Sequence, residues 1–225
     1  TTAPFAFGDI DVWKKWPGSK PAAYLSDKLR GKGVENVVWL FTTNSSVFTS
    51  NGSFLIKPED FNGVKIRGLE PSFNASLEAM GAAASSMSGS KVYQALATGV
   101  IDAGITDVAA AVKRKYYEVQ DHFTVVPVIS VYFHGYVNPA WYSGLSDKAK
   151  AALDQAGKAA AGWAIEASVS ASADAPDQLR EKGSNVHIAT DEEIAALEAV
   201  MRPAFEAKFK GNEDAQKLIE LIGGM

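Results

Sequence analysis

The sequence predicts an α/β fold with a largely parallel sheet, and three observations predict it. Short apolar runs alternate with segments of helical periodicity, and glycine and proline punctuate most of the changes. Of the 225 residues, 47% are hydrophobic, which is enough to bury a sizeable core in one large domain or two modest lobes.

Residues 1–20 are aromatic and irregular, with Phe5, Phe7, Trp13 and Trp16 among Gly8, Pro17 and Gly18. This is expected of chain packed against other structure. Residues 21–30 read as a helix, with Lys28 and Arg30 at the end where cations suit the dipole and Gly31 and Gly33 as its stop. The apolar run 34–41, with Val37, Val38, Trp39 and Leu40, reads as a buried strand. Residues 42–53 are polar apart from Val47 and Phe48, which predicts a loop, either plain surface or part of a binding site.

From Lys57 the punctuation is regular. Pro58-Glu59-Asp60 starts a turn, Gly63 ends it, and Val64-Lys65-Ile66-Arg67 alternates as a half-buried strand. Ser72 is expected to cap a helix carrying Phe73, Leu77 and Met80 and closed by Gly81. Ser88-Gly89-Ser90 opens the next helix, which Gly99 ends. Residues 100–106 form a strand, Asp107 caps a helix reaching Tyr116, and apolar runs follow at 123–129 and 131–137. Ser146 opens a helix of thirty or more residues towards Leu179. It is expected to pack through Ala160, Trp163, Ala164 and Ala167, and Pro176 should kink or end it. A strand at 185–189 follows, then a helix opened by a Thr190/Glu193 capping box.

Composition narrows the function. The 10% aromatic content excludes disorder. No stretch approaches the roughly 20 apolar residues that cross a bilayer. A net charge of −4 argues against a nucleic-acid partner. The absence of cysteine excludes disulfides, Cys-zinc sites and thiol nucleophiles, and suits an oxidising compartment. The chain opens without a basic or apolar leader, so any export signal is expected to have been removed.

Hydrolase, P-loop, dinucleotide and zinc-protease motifs are missing. His122, His134 and His187 are too far apart for ligand spacing; neither a metal site nor a cofactor is expected. Arg67 is the sharpest feature. It ends a strand where α/β sheets open their ligand crevice, and its planar fork suits a carboxylate. The plainer alternative is a surface Arg paired with Glu70.

Four runs bear a family resemblance: Asn62-Gly63-Val64-Lys65-Ile66-Arg67, Leu77-Glu78-Ala79-Met80-Gly81-Ala82, residues 92–102 (VYQALATGVID), and Tyr116-Tyr117-Glu118-Val119-Gln120. Together they resemble, in order and nearly in spacing, the solute receptors of tripartite ATP-independent periplasmic (TRAP) transporters. Asn138-Pro139-Ala140-Trp141 and the very long helix after Leu145-Ser146 fit as well. The resemblance implies a two-lobed periplasmic-binding-protein architecture, with 1–40 in lobe one and the hinge approach and 41–138 mainly lobe two with hinge strands. Residues 139–225 would supply the bridging helix and terminal helices. The start of the chain resembles the family's pre-hinge segment, so the front of lobe one is expected to be absent.

It further implies a non-enzymatic periplasmic receptor that binds an organic acid anion and delivers it to membrane permease subunits. Arg67 would anchor the carboxylate. Tyr93, Thr106 and Asp107 would line one wall, Asn44 and Ser45 would come from the loop after Phe41, and Tyr136 and Asn138 would be neighbours. Two departures bear on the ligand: Thr106 stands where the family commonly has a ligand-touching Asn, and an upstream arginine is replaced near Val47. One visible arginine implies a monocarboxylate. The alternative is an α/β enzyme acting on a carboxylate, with Arg67 as clamp and Asp107 or His134 as base.

Overall fold

The computed structural model describes residues 2–7, 10–43 and 45–225. Helix α1 (Ile10–Lys15) runs through a tight turn into α2 (Lys20–Arg30), whose first turn is capped by Ser19 Oγ accepting from the Ala22 amide. Strands β1 (Glu35–Phe41) and β2 (Ser46–Ser50) follow, then β3 (Lys65–Gly68), α3 (Pro71–Glu78), β4 (Ala83–Ser86) and α4 (Gly89–Ala97). Next come β5 (Ala103–Asp107), α5 (Val108–Lys113), β6 (His122–Val126), β7 (Tyr132–Val137) and α6 (Pro139–Ser143). The chain then forms α7 (Asp147–Glu181), β8 (Asn185–Ile188), α8 (Asp191–Ala207) and α9 (Glu213–Gly223). The capping box at Thr190 forms as its spacing requires, while α3 is capped by Glu70, whose carboxylate accepts from the Ser72 amide, rather than by Ser72.

The strands divide into a six-stranded sheet, β4-β3-β5-β2-β6-β8, and an antiparallel pair, β1-β7. The larger sheet is mixed, which corrects the expectation of a largely parallel one. Three pairings are parallel, but β2 runs antiparallel to both β5 and β6. The expected loop at 42–53 therefore contains a central strand. Val47 and Phe48 are fully buried, and backbone groups satisfy the Ser46 and Ser50 hydroxyls beside them, while Thr49 Oγ1 is buried without a partner among the described residues. Ser46 Oγ donates to Val126 O at 2.6 Å and accepts from the Val128 and Ile129 amides.

Residues 127–131 lead from β6 in the larger sheet to β7 in the pair, and Val131 O there accepts from Thr42 N, just past β1, at 3.0 Å. A two-stranded sheet is marginal alone. This one leans on an aromatic cluster in which Trp13 lies 4.2 Å from Phe41 and 4.3 Å from Tyr132, ring centre to ring centre, and the Tyr132 hydroxyl donates to Trp13 O.

Helix α7, 35 residues and about 52 Å long, packs on both units. Gly157 lies so close to β1 that a Cβ there would sit 2.7 Å from Val37 O, and Ser168 Oγ donates to Phe41 O. Further along, Ala175 and Leu179 are buried in the cluster that holds Val47 and Phe123 of the six-stranded sheet. Those contacts carry the helix through Pro176 to Glu181, so the proline does not end it.

The packing face is not the expected one. Trp163 is 70% exposed, and the inward row is Gly157, Ala161, Ile165, Ser168, Ser172, Ala175 and Leu179. Trp163→Ala is therefore expected to change stability by no more than about 0.5 kcal/mol, as at other surface positions. Equilibrium urea unfolding checks this, and a loss of several kcal/mol would mean that the indole is covered in solution.

Candidate functional site

Strand β3 begins exposed and ends buried: Ile66 is fully inside and Arg67 is only 9% exposed. Gly68 lets the chain turn immediately afterwards. The Asn74 side chain occupies the space a Cβ would need, its Oδ1 accepting from the Leu69 amide and its Nδ2 donating to Ser86 Oγ. Held this way, the Arg67 guanidinium donates from Nε to Met87 O at 3.2 Å and from Nη1 to Ile105 O at 2.5 Å.

Both acceptors are neutral carbonyls. Among the described residues, no carboxylate lies within ion-pair distance of Arg67, and Glu70 instead caps α3. Burial lowers the Arg67 pKa below the ordinary guanidinium value; the Tyr116 phenol opposes that shift and the like charge of Arg114 adds to it. The group stays charged. It is a buried cation short of an anion.

Ser45, Thr106 and Asp107 lie at the same end of the sheet as Arg67. Arg67 pairs in register with Gly104, Val47 with Thr106 and Ser46 with Asp107, while Ser45 O accepts from the Val108 amide. Thr106 is nearly buried. Asp107 caps α5, its Oδ1 accepting from the Ala110 amide at 2.8 Å. The other expected contacts lie elsewhere. The Tyr93 hydroxyl donates to Glu118 on the surface, Tyr136 is exposed on β7, and Asn138 caps α6. Asn44 lies outside the described residues.

Asp107→Asn is expected to be neutral or slightly stabilising at pH 7, because Asn caps as well as Asp does. Burial, the largest influence, raises the Asp107 pKa above 3.8, although the Ala110 and Ala109 amides oppose it. Just above pH 3.8 the native chain thus binds a proton that the unfolded chain releases, so stability falls as pH rises through that window. Asn should remove this slope. Urea titrations across pH 4 to 7 measure it, and an unchanged slope would assign it to other groups.

Sequence reasoning missed Arg114. It follows α5, and its Nη1 donates to Thr106 Oγ1 at 3.3 Å. Its guanidinium also lies against Gly89, the first residue of α4, where a Cβ would sit 2.6 Å from that nitrogen. The Tyr116 hydroxyl donates to Gly89 O at 3.4 Å beside it, and burial raises the phenol's pKa. Nothing in the sequence marks Arg114 off from Lys113 and Lys115, its basic neighbours at a helix end.

A hollow of about 570 Å³ opens elsewhere, between α1, α2, β1 and α7. Its cations already have partners: Arg30 grips Glu35 through Nε at 2.6 Å and Nη2 at 2.9 Å, and Lys158 pairs with Asp154. The candidate general bases of an enzyme are also apart. Asp107 is in the six-stranded sheet, and His134 is in the pair, stacked on Trp39 at 4.8 Å.

Residues 1–212 match the family model described as bacterial extracellular solute-binding protein, family 7. The chain is 30% identical over 212 residues to the C4-dicarboxylate-binding periplasmic protein DctP of Rhodobacter capsulatus, covering 90% of this chain and 61% of that protein. It thus spans about three-fifths of that relative's length. The fold is similar to that of a TRAP periplasmic solute binding protein from Rhodoferax ferrireducens solved with bound malonate. There the TM-score is 0.90 at 22% identity, covering 99% of this chain and 71% of that one. It is also similar to the periplasmic ectoine-binding protein of the TeaABC TRAP transporter of Halomonas elongata, with a TM-score of 0.87 at 24% identity, covering 98% and 73%. These likenesses show the two-lobed α/β fold.

Proposed function

The chain belongs to the bacterial extracellular solute-binding proteins of family 7, and from that premise we propose that it is the solute receptor of a TRAP transporter. It binds a small organic acid anion in the periplasm, closes over it and delivers it to a membrane permease. Among the described residues, no helix is long and apolar enough to cross a membrane, so translocation falls to that permease.

The observation that carries this reading is Arg67, a buried guanidinium at the carboxyl end of a strand with no carboxylate partner among the described residues. A buried charge left unpaired is costly, and a carboxylate ligand neutralises it with charge-assisted hydrogen bonds. One similar protein is named for C4-dicarboxylates, and one similar structure holds malonate; the acid group is common to both. Ser45 and Thr106 line the wall beside Arg67.

The receptor binds without turnover. Calorimetric titration with acetate, propionate, malonate, succinate and galacturonate, followed by NMR of the recovered acid, tests both halves. Saturable binding with the acid returned unchanged is the expected result. An acid consumed would point to an enzyme, and no binding by any acid would remove the receptor reading.

A further inference from the structure

Arg67 and Arg114 bridge the same two segments of chain. Arg67 donates to Met87 O and Ile105 O; Arg114 lies on Gly89 and donates to Thr106 Oγ1. Two guanidinium groups are therefore lodged side by side between residues 87–89 and 105–106, with the Tyr116 hydroxyl on Gly89 O. Lys115, the next residue of this basic stretch, contrasts with them. It pairs with Glu118 at 3.7 Å, yet no carboxylate among the described residues lies within ion-pair distance of either arginine. Like charges at close quarters disfavour one another unless an anion lies between them.

Resting on the receptor reading, we propose that Arg114 is the second cationic contact of the Arg67 site and that it selects acids with a second anionic group. Arg67 holds one carboxylate from inside the sheet. Arg114, anchored by Thr106 and more exposed, meets the second carboxylate at the mouth. The ligand class is then a short dicarboxylate, which replaces the monocarboxylate that a count of one arginine implied.

The test compares malonate and succinate with acetate and propionate at fixed ionic strength, by calorimetry, on the whole chain and three variants. The wild type is expected to favour each diacid over its monoacid by about tenfold or more, the scale of one charge-assisted pair. Arg114→Gln should collapse that ratio to within about threefold, weakening the diacids much more than the monoacids, and Arg114→Lys should restore it only in part. Lys113→Gln removes the same charge from the same helix end and should leave the ratio intact. A ratio unmoved in Arg114→Gln, or lowered equally by Lys113→Gln, overturns the assignment while the receptor reading stands. Failure of the wild type to bind any acid overturns both.

Discussion

Phe48→Ala is expected to cost about 3–5 kcal/mol of unfolding free energy, the range for truncating a buried aromatic. Phe48 is fully buried on β2, the strand with neighbours of opposite direction on both sides. Its ring meets Phe61 edge-on at 4.9 Å and belongs to the cluster of Ile66, Phe73, Leu77, Ile105 and Met201. The cavity left behind would be walled by three separate segments already fixed by their own hydrogen bonds, so little of it can collapse. Whole domains hold only about 5–15 kcal/mol, so this change takes a large share. The shift in urea midpoint at constant slope measures it. A loss below about 1 kcal/mol would show that β2 is not the keystone of the larger sheet.

The same strand shows where the sequence is hard to read. Ser46-Val47-Phe48-Thr49-Ser50 carries the polar residues of a loop, and only its neighbours' backbone groups make it a strand. Ala83–Ser86 likewise lacks β-branched or aromatic residues and forms β4 because β3 offers it an edge. Local signals were read correctly where the chemistry is local. Gly81 and Gly99 adopt φ of +86° and +70° at helix ends, Asp107 caps α5, and Thr190 with Glu193 forms its box.

The long helix was legible in extent but not in orientation. Alanine lies on every side of α7, so its hydrophobic pattern gives no face, and Trp163 suggested one that packing did not follow. What turns inward is a row of small residues, because β1 approaches the helix closely enough to touch Gly157. The site divides in the same way. Arg67 was visible from its place at a strand end, whereas the reach of Arg114 back to Thr106 depends on tertiary geometry that spacing does not encode.

Arg67→Ala is expected to lower affinity for every acid the protein binds by a hundredfold or more, on the order of 3 kcal/mol, as for other buried charge pairs that lose one partner. The change also frees Met87 O and Ile105 O from their donor, so thermal unfolding of the unliganded variant must accompany the titration. Arg67→Lys separates the two effects. A lysine keeps the charge and can still reach one carbonyl, but its ammonium is a point donor and cannot hold carboxylate and carbonyl with a planar fork. It should stay folded and still bind at least about tenfold more weakly. The direction of the Arg67 pKa adds a control. Burial lowers it, but a guanidinium remains protonated through neutral pH, so the loss in Arg67→Ala should be the same at pH 6 and pH 8. A loss that varies with pH across that range would place the anchoring charge on another, titrating group. Undiminished affinity in a folded Arg67→Ala would leave the site without its anchor and the receptor reading without the observation that carries it.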